Sequence, residues 1–204
     1  MRYLLTSFCV IWLFFSCSSY PKKQQFITTQ VAKSHITNSY FADASKDYVY
    51  KTRISVYDND FGGLLIIKKV DNKQHRVVFT TEMGNKIFDF SFYTDDFKVN
   101  YILDDLNKPL LINILKQDFK VLIKEDISIS NAYKTNNTHI YKTTINNKEH
   151  YYFVQDAILN KVVRANNGKE KVRFLFSEIS DTIAKHIEIK HNNIQLQINL
   201  KSIK

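Results

Sequence analysis

From Tyr48 onward, apolar and polar residues alternate in short runs separated by turn-forming residues. Tyr48 to Tyr57 sets Ile54 and Val56 against Arg53 and Ser55 and ends in Asp58-Asn59-Asp60. Phe61 to Val70, led by Gly62-Gly63, is the next run and is turned by Asp71-Asn72-Lys73. Arg76 to Thr81 puts Val77 and Phe79 on one face, and Met83-Gly84-Asn85 supplies a tight turn where glycine suits a positive φ. Lys86 to Tyr93 sets Phe88, Phe90 and Phe92 opposite Ile87, Asp89 and Ser91, and Thr94-Asp95-Asp96 then leads into Phe97 to Ile102. Runs spaced this closely predict antiparallel hairpins. The pattern resumes with Ile140 to Ile145, His150 to Gln155, Ile158 to Val163 and Val172 to Ser177, joined by turns such as Asn146-Asn147 and Asn166-Asn167-Gly168. Ile187 and Ile189 alternate with His186, Glu188 and Lys190, and Ile194 to Leu200 is the most regular period-2 segment. Such alternation predicts a sheet with one apolar and one wetted face.

Asn107 to Ile123 follows a different period. Asn107 suits an N-cap, and Pro109 fits a first turn, where its missing N–H costs nothing. At helical spacing, Leu110, Leu111, Ile114, Leu115, Phe119, Val121, Leu122 and Ile123 cover roughly 220° of the circumference, and Asn113, Lys116, Gln117 and Lys120 fill the remainder. An arc that wide predicts burial on more than one side, as for a helix in the mouth of a curved sheet. Asp118 falls in the middle of it. Either it is a buried carboxylate with a basic partner such as Arg53, Arg76 or Lys86, or the helix ends near Gln117 and Phe119 to Ile123 opens a new element. The second reading is the one expected. About ten to eleven strands and one embedded helix near 107–123 predict an α+β protein built on a large curved antiparallel sheet.

The N-terminus reads differently again. Met1 and Arg2 precede an apolar run from Tyr3 to Phe15, then Ser16-Cys17 and a polar stretch from Ser18 to Gln25. A basic start, a short apolar core and a small residue before the cut predict a secretory signal. The run falls short of the roughly 20 residues a membrane-spanning helix needs; an uncleaved anchor is the alternative. Leu13-Phe14-Phe15-Ser16-Cys17 resembles a bacterial lipobox of the looser, Bacteroidetes type, with bulky Phe14 and Phe15 in place of the usual Leu-then-small pair. That resemblance implies cleavage before Cys17 and lipid attachment to its thiol. More than one acyl chain then gives stable anchoring. The expected division is a signal at 1–16, a lipidated N-terminus and tether at 17–46, and one domain at 47–204. Of the 2 cysteines, Cys9 goes with the signal and Cys17 with the lipid, which excludes disulfides, thiol catalysis and cysteine metal sites in the body. Ser18-Ser19 carries no acidic sorting feature, so the expected location is the outer membrane, facing the periplasm.

The net charge of +9 rests on lysine, which outnumbers arginine 24 to 5. Readers of nucleic acid lean on arginine forks, and these lysines are scattered. A solvated lysine face is the plain reading, attraction to anionic lipid head groups the sharper one. No nucleic-acid partner is expected. His35, His75, His139, His150, His186 and His191 show no pair at helical ligand spacing, and no nucleophile elbow, phosphate loop or zinc-protease helix motif occurs. Neither metal, cofactor nor enzymatic activity is expected. Asp95-Asp96 and Asp104-Asp105 read as turn and helix-start carboxylates, and Asp89 as one member of a structural ion pair.

Gly62-Gly63-Leu64-Leu65-Ile66-Ile67-Lys68-Lys69, Arg76-Val77-Val78-Phe79-Thr80, Glu82 to Phe90 and Lys98 to Leu103 together resemble the LolA/LolB-like family of periplasmic lipoprotein carriers and outer-membrane receptors. The likeness covers residues 48–123 in motif and the remainder in strand count. It implies an unclosed β-barrel, capped by helices on its concave side around a cavity for acyl chains. No segment of this sequence is assigned to the receptor's membrane-inserting apolar loop. With Phe88, Phe90 and Phe92 facing inward, the expected cavity residues are Phe88, Phe90, Phe92, Val99, Tyr101, Leu111 and Leu115; the alternative is that they form a closed core. The expected function is a monomeric, membrane-anchored lipoprotein that binds a lipid or the acyl part of another lipoprotein. A structural or envelope-assembly lipoprotein acting through protein contacts is the alternative.

Overall fold

Along β3 (Asp47–Val56) Tyr48, Tyr50, Thr52, Ile54 and Val56 are buried, whereas Lys51 and Arg53 are exposed. The same alternation buries Leu65 and Ile67 in β4 (Asn59–Asp71) and Val77 and Phe79 in β5 (Gln74–Thr80). This is a computed structural model that describes residues 18–203. The signal expected at 1–16 and Cys17 lie outside the described residues.

The meander continues through β6 (Lys86–Tyr93) and β7 (Phe97–Ile102). A 3-10 turn, Asp104–Leu106, and helix α2 (Pro109–Ile123) follow, after the short helix α1 (Tyr20–Lys23) near the start. The chain then passes through β8 (Asp126–Ser128) into a second meander. Its strands are β9 (Asn131–Thr135), β10 (Thr138–Ile145), β11 (Lys148–Gln155), β12 (Ile158–Asn166), β13 (Lys169–Ser180), β14 (Ile183–His191) and β15 (Leu196–Ser202). β15 pairs antiparallel with β3, joining both meanders into one sheet. With β1 (Ile27–Thr29) added beside β9, the sheet has thirteen strands among the described residues, with β1 and β7 as its two free edges. It is antiparallel throughout and does not close. β2 (His35–Thr37) and β8 form a separate pair.

The eleven strands read from alternation all occur. The count is larger because β1 and β9 were not foreseen: both are short, and neither carries the apolar run that marks the others.

Helix α2 carries the chain from the β7 edge across to the second meander and lies against the sheet's inner face. Leu111, Leu115, Phe119 and Leu122 are buried there, and Phe119 meets Phe88 at 5.8 Å between ring centroids. A buried side chain of this size contributes about 1.5–3 kcal/mol. The helix does not end near Gln117. It runs to Ile123 because Asp118, 1% exposed, has a partner the sequence did not suggest: His191 Nε2 lies 2.7 Å from Asp118 Oδ2. Lys108 rather than Asn107 holds the N-cap position, with Pro109 in the first turn as expected.

Two parts of the segment 17–46, expected as a lipidated N-terminus and tether, pack against the body. Tyr20 and Phe26 cover Ile140, Tyr151, Phe153 and Val163 on the far side of the sheet, with Tyr20 and Tyr151 4.8 Å apart. Tyr40 and Phe41 enter the main core. Aromatic residues placed among polar ones give no periodic signal, so burial of this segment was not legible.

Candidate functional site

The strand β6 is buried on both faces. On the inner one, Phe88 and Phe90 stack at 4.5 Å, Phe88 meets Phe79 at 5.4 Å, and Phe97 packs on Phe90 and Phe92 at 5.3 and 5.1 Å. Phe88 and Phe90 are fully enclosed, Phe92 nearly so, and Leu115 joins them from α2. These residues form a filled core. Val99 lies half-buried beside them, opposite Phe90. Tyr101 does not join the group. A β-bulge shifts the register between Asp89 and Phe90, so Tyr101 aligns with Asp89 and is exposed. Strict alternation, which grouped Tyr101 with Val99, fails at a bulge.

On the other face, Arg76 holds Asp89 with two hydrogen bonds of 2.9 and 2.7 Å, Lys86 donates at 3.0 Å and Asn100 at 3.1 Å. The Arg76 guanidinium, with Lys86 and Asn100, holds the Asp89 carboxyl well below the usual carboxylate range despite its burial. Asp89 is the structural ion pair expected, and it has no room for a substrate.

Open space lies at one end of the unclosed sheet. There the 3-10 turn and the first turns of α2 face the β3–β4 hairpin and leave a pocket of about 490 Å³, within the range of small-molecule sites. Val56, Phe61, Leu106, Leu111, Ile114 and Ile194 give it apolar walls, and Asp104, Asp105 and Lys108 stand at its rim. Leu110 and Tyr57 line it too, although they are 65% and 60% exposed. Of the seven residues expected around a cavity, Leu111 lines this pocket. Sequence reasoning missed the others because they come from the ends of elements, where periodicity is weakest. Leu110 gave no signal either, since the helical pattern placed it in the arc expected to be buried, whereas it is 65% exposed.

A second cluster sits where α2 meets the strands β11 to β14. His150, Arg164, Val172 and His191 lie opposite one another across these four strands. Asp118 and Gln117 approach them from the helix. Gln117 Oε1 accepts from Lys148 Nζ and, at 3.1 Å, from Arg164. His150 Nδ1 lies 2.9 Å from the Lys148 carbonyl, and burial pushes its imidazole down to about 4. Burial also lowers Lys148 and Arg164. Among the described residues, His191 Nδ1 and the Tyr152 hydroxyl are buried without a hydrogen-bond partner. The sequence marked only Asp118 here; its partner lies 73 residues away.

Among the described residues, no three His, Cys, Asp or Glu side chains converge as metal ligands, and no helix is long and apolar enough to cross a membrane. No protein-family model and no curated protein matches the sequence. Among solved structures, a LolA superfamily protein from Nitrosomonas europaea superposes with a TM-score of 0.51 at 8% identity, covering 83% of this chain and 92% of its own. An outer membrane lipoprotein-sorting protein domain from Vibrio parahaemolyticus gives a TM-score of 0.46 at 9% identity, covering 78% and 83%. The open antiparallel sheet wrapped on a helix, reached above from the strands themselves, is thus a fold this chain shares with the Nitrosomonas europaea protein.

Proposed function

We propose that this protein is a non-enzymatic, lipid-anchored carrier that holds an apolar ligand, the acyl chains of a lipid or of another lipoprotein, in the pocket between α2 and the β3–β4 hairpin. The observation that carries this reading is the 490 Å³ apolar pocket at the mouth of an unclosed sheet, with Leu110 exposed at its lip. Apolar surface left open in this way is satisfied by an apolar occupant. The fold shared with a LolA superfamily protein supports it, as does the lipobox-like segment ending in Cys17. In its finer form the protein acts as a receptor at the outer membrane, facing the periplasm, as a monomer. The free β7 edge favours a second reading, an envelope-assembly role through strand pairing.

Native mass spectrometry of the full chain, purified in a neutral detergent, tests the carrier reading. A lipid adduct is expected beyond any acyl chains covalently on Cys17. Leu110→Asp, at an exposed position that leaves the core intact, is expected to lower its occupancy by roughly tenfold, as for loss of one apolar contact and burial of a carboxylate. Absence of any adduct, or occupancy unchanged in Leu110→Asp and in a pocket-filling Leu111→Trp, rules the pocket out.

A further inference from the structure

A second pocket, of about 790 Å³, opens at the same end of the unclosed sheet. The β14–β15 turn divides the two, with Ile194 lining the apolar pocket and Asn193 the other. The walls of the second are polar and basic: Lys148, Arg164 and Lys171 line it with Ser18 and turn asparagines, among them Asn147 and Asn167. Lys23 adds another ammonium, because its side-chain end lies against Gly168, also in the wall.

These cations outnumber their counter-charges: Asp118 is the one carboxylate whose charge acts on both Lys148 and Arg164, and it makes no ion pair with either. Lys148 and Arg164, both half-buried, share one neutral acceptor, the Gln117 amide oxygen, and neither makes a salt bridge among the described residues. Nearby carboxylates are already engaged. Asp118 is held by His191, and Glu149, at the pocket's edge, is bound by Lys142 at 2.5 Å and by the Tyr151 hydroxyl at 3.0 Å. The Lys171 ammonium makes no hydrogen bond or ion pair among the described residues. Cations partly withdrawn from water in excess of the carboxylates around them are costly, and an anion with several acceptor oxygens would relieve both the guanidinium and the ammonium groups. A guanidinium fork matches a phosphate in geometry as well as charge.

The position of Ser18 points to the source of that phosphate. Ser18 follows Cys17 directly and lines the pocket, and Tyr20 fixes this end of the chain under Tyr151. A carbon side chain at Gly168, whose φ is +66°, would collide with the Ser18 carbonyl, so the turn and the chain start are closely fitted. With lipid on Cys17, the pocket lies at the bilayer surface. We infer that this pocket binds the phosphate of an anionic phospholipid head group. The choice of a lipid over a free anion rests on the lipidation proposed for Cys17; the cationic site itself does not.

Calorimetric titration of the full chain in neutral detergent provides the test. The probes are dihexanoyl phosphatidylglycerol, dihexanoyl phosphatidylcholine and inorganic phosphate. Saturable binding of phosphatidylglycerol is expected, about tenfold tighter than of phosphatidylcholine and weakened about tenfold by Arg164→Gln. Lys171→Gln, which breaks no contact of its side chain, is expected to weaken it several-fold with an unchanged melting temperature. No saturable binding, or binding indifferent to both variants, overturns the site. Inorganic phosphate binding as tightly as phosphatidylglycerol overturns the lipid assignment. Leu110→Asp is expected to leave phosphatidylglycerol selectivity intact, so this inference and the carrier reading fail separately.

Discussion

His150 is 2% exposed, on the inner face of β11, with Nδ1 2.9 Å from the Lys148 carbonyl. That geometry suits a neutral ring donating from Nδ1, and burial with nearby Arg164 and Lys148 pushes its pKa down from 6.5 to about 4. Between those two values the unfolded chain takes up a proton that the folded chain refuses. The contribution of His150 to stability is therefore constant above about pH 6.5 and falls as pH drops from there towards 4, by about 2 kcal/mol between pH 7.5 and 5. Burial shifts His75 in the same direction. Urea unfolding at pH 7.5 and 5 is expected to show this loss, and His150→Gln to flatten it; an unchanged slope in the variant would place the titrating group elsewhere. Residue roles of this kind were unevenly legible. Asp89 revealed itself because an acid inside an aromatic run demands a cation. His150 did not, because a histidine in a strand looks the same whether it is enclosed or wet.

Between elements, Asp118 and His191 tie α2 to β14 in a setting almost without water. Removing one member of a buried pair leaves the other uncompensated, so Asp118→Ala is expected to destabilise the fold by about 3–5 kcal/mol. Asp118→Ala combined with His191→Ala is expected to cost clearly less than the sum of the two single changes. Strict additivity in that double-mutant cycle would show that the pair does not act as a unit. Strands were the most legible elements, since period-2 alternation in β3, β5 and β15 follows directly from one buried face. The helix was legible in place and period but not in length. An acid in an apolar arc reads as a break until its partner is known, and here that partner is set by sheet topology alone.

For the whole molecule, the fold class was legible and the candidate site was not. The sheet follows from repeated local alternation, whereas the apolar pocket is assembled from the 3-10 turn, α2, the β3–β4 hairpin and Ile194, which only the topology brings together. Tyr20, buried against Tyr151 three residues after Cys17, leaves little slack between body and proposed anchor. Cys17→Ala is expected to yield a protein extractable without detergent, with the melting temperature of the parent; retention in the membrane fraction would show that something other than Cys17 holds it. The seam between β3 and β15, where Val56 lies opposite Leu196, also governs the order of folding. A chain emerging from its N-terminus presents β3–β7 early, but the β3 edge stays unpaired until residues 196–202 arrive. Through that interval a ten-residue strand offers its backbone to any neighbouring chain, with outward Lys51 and Arg53 as its nearest deterrent. Closing this seam is a late, long-range event, so the β3 edge is the stretch of the sheet most open to stray strand pairing before β15 arrives.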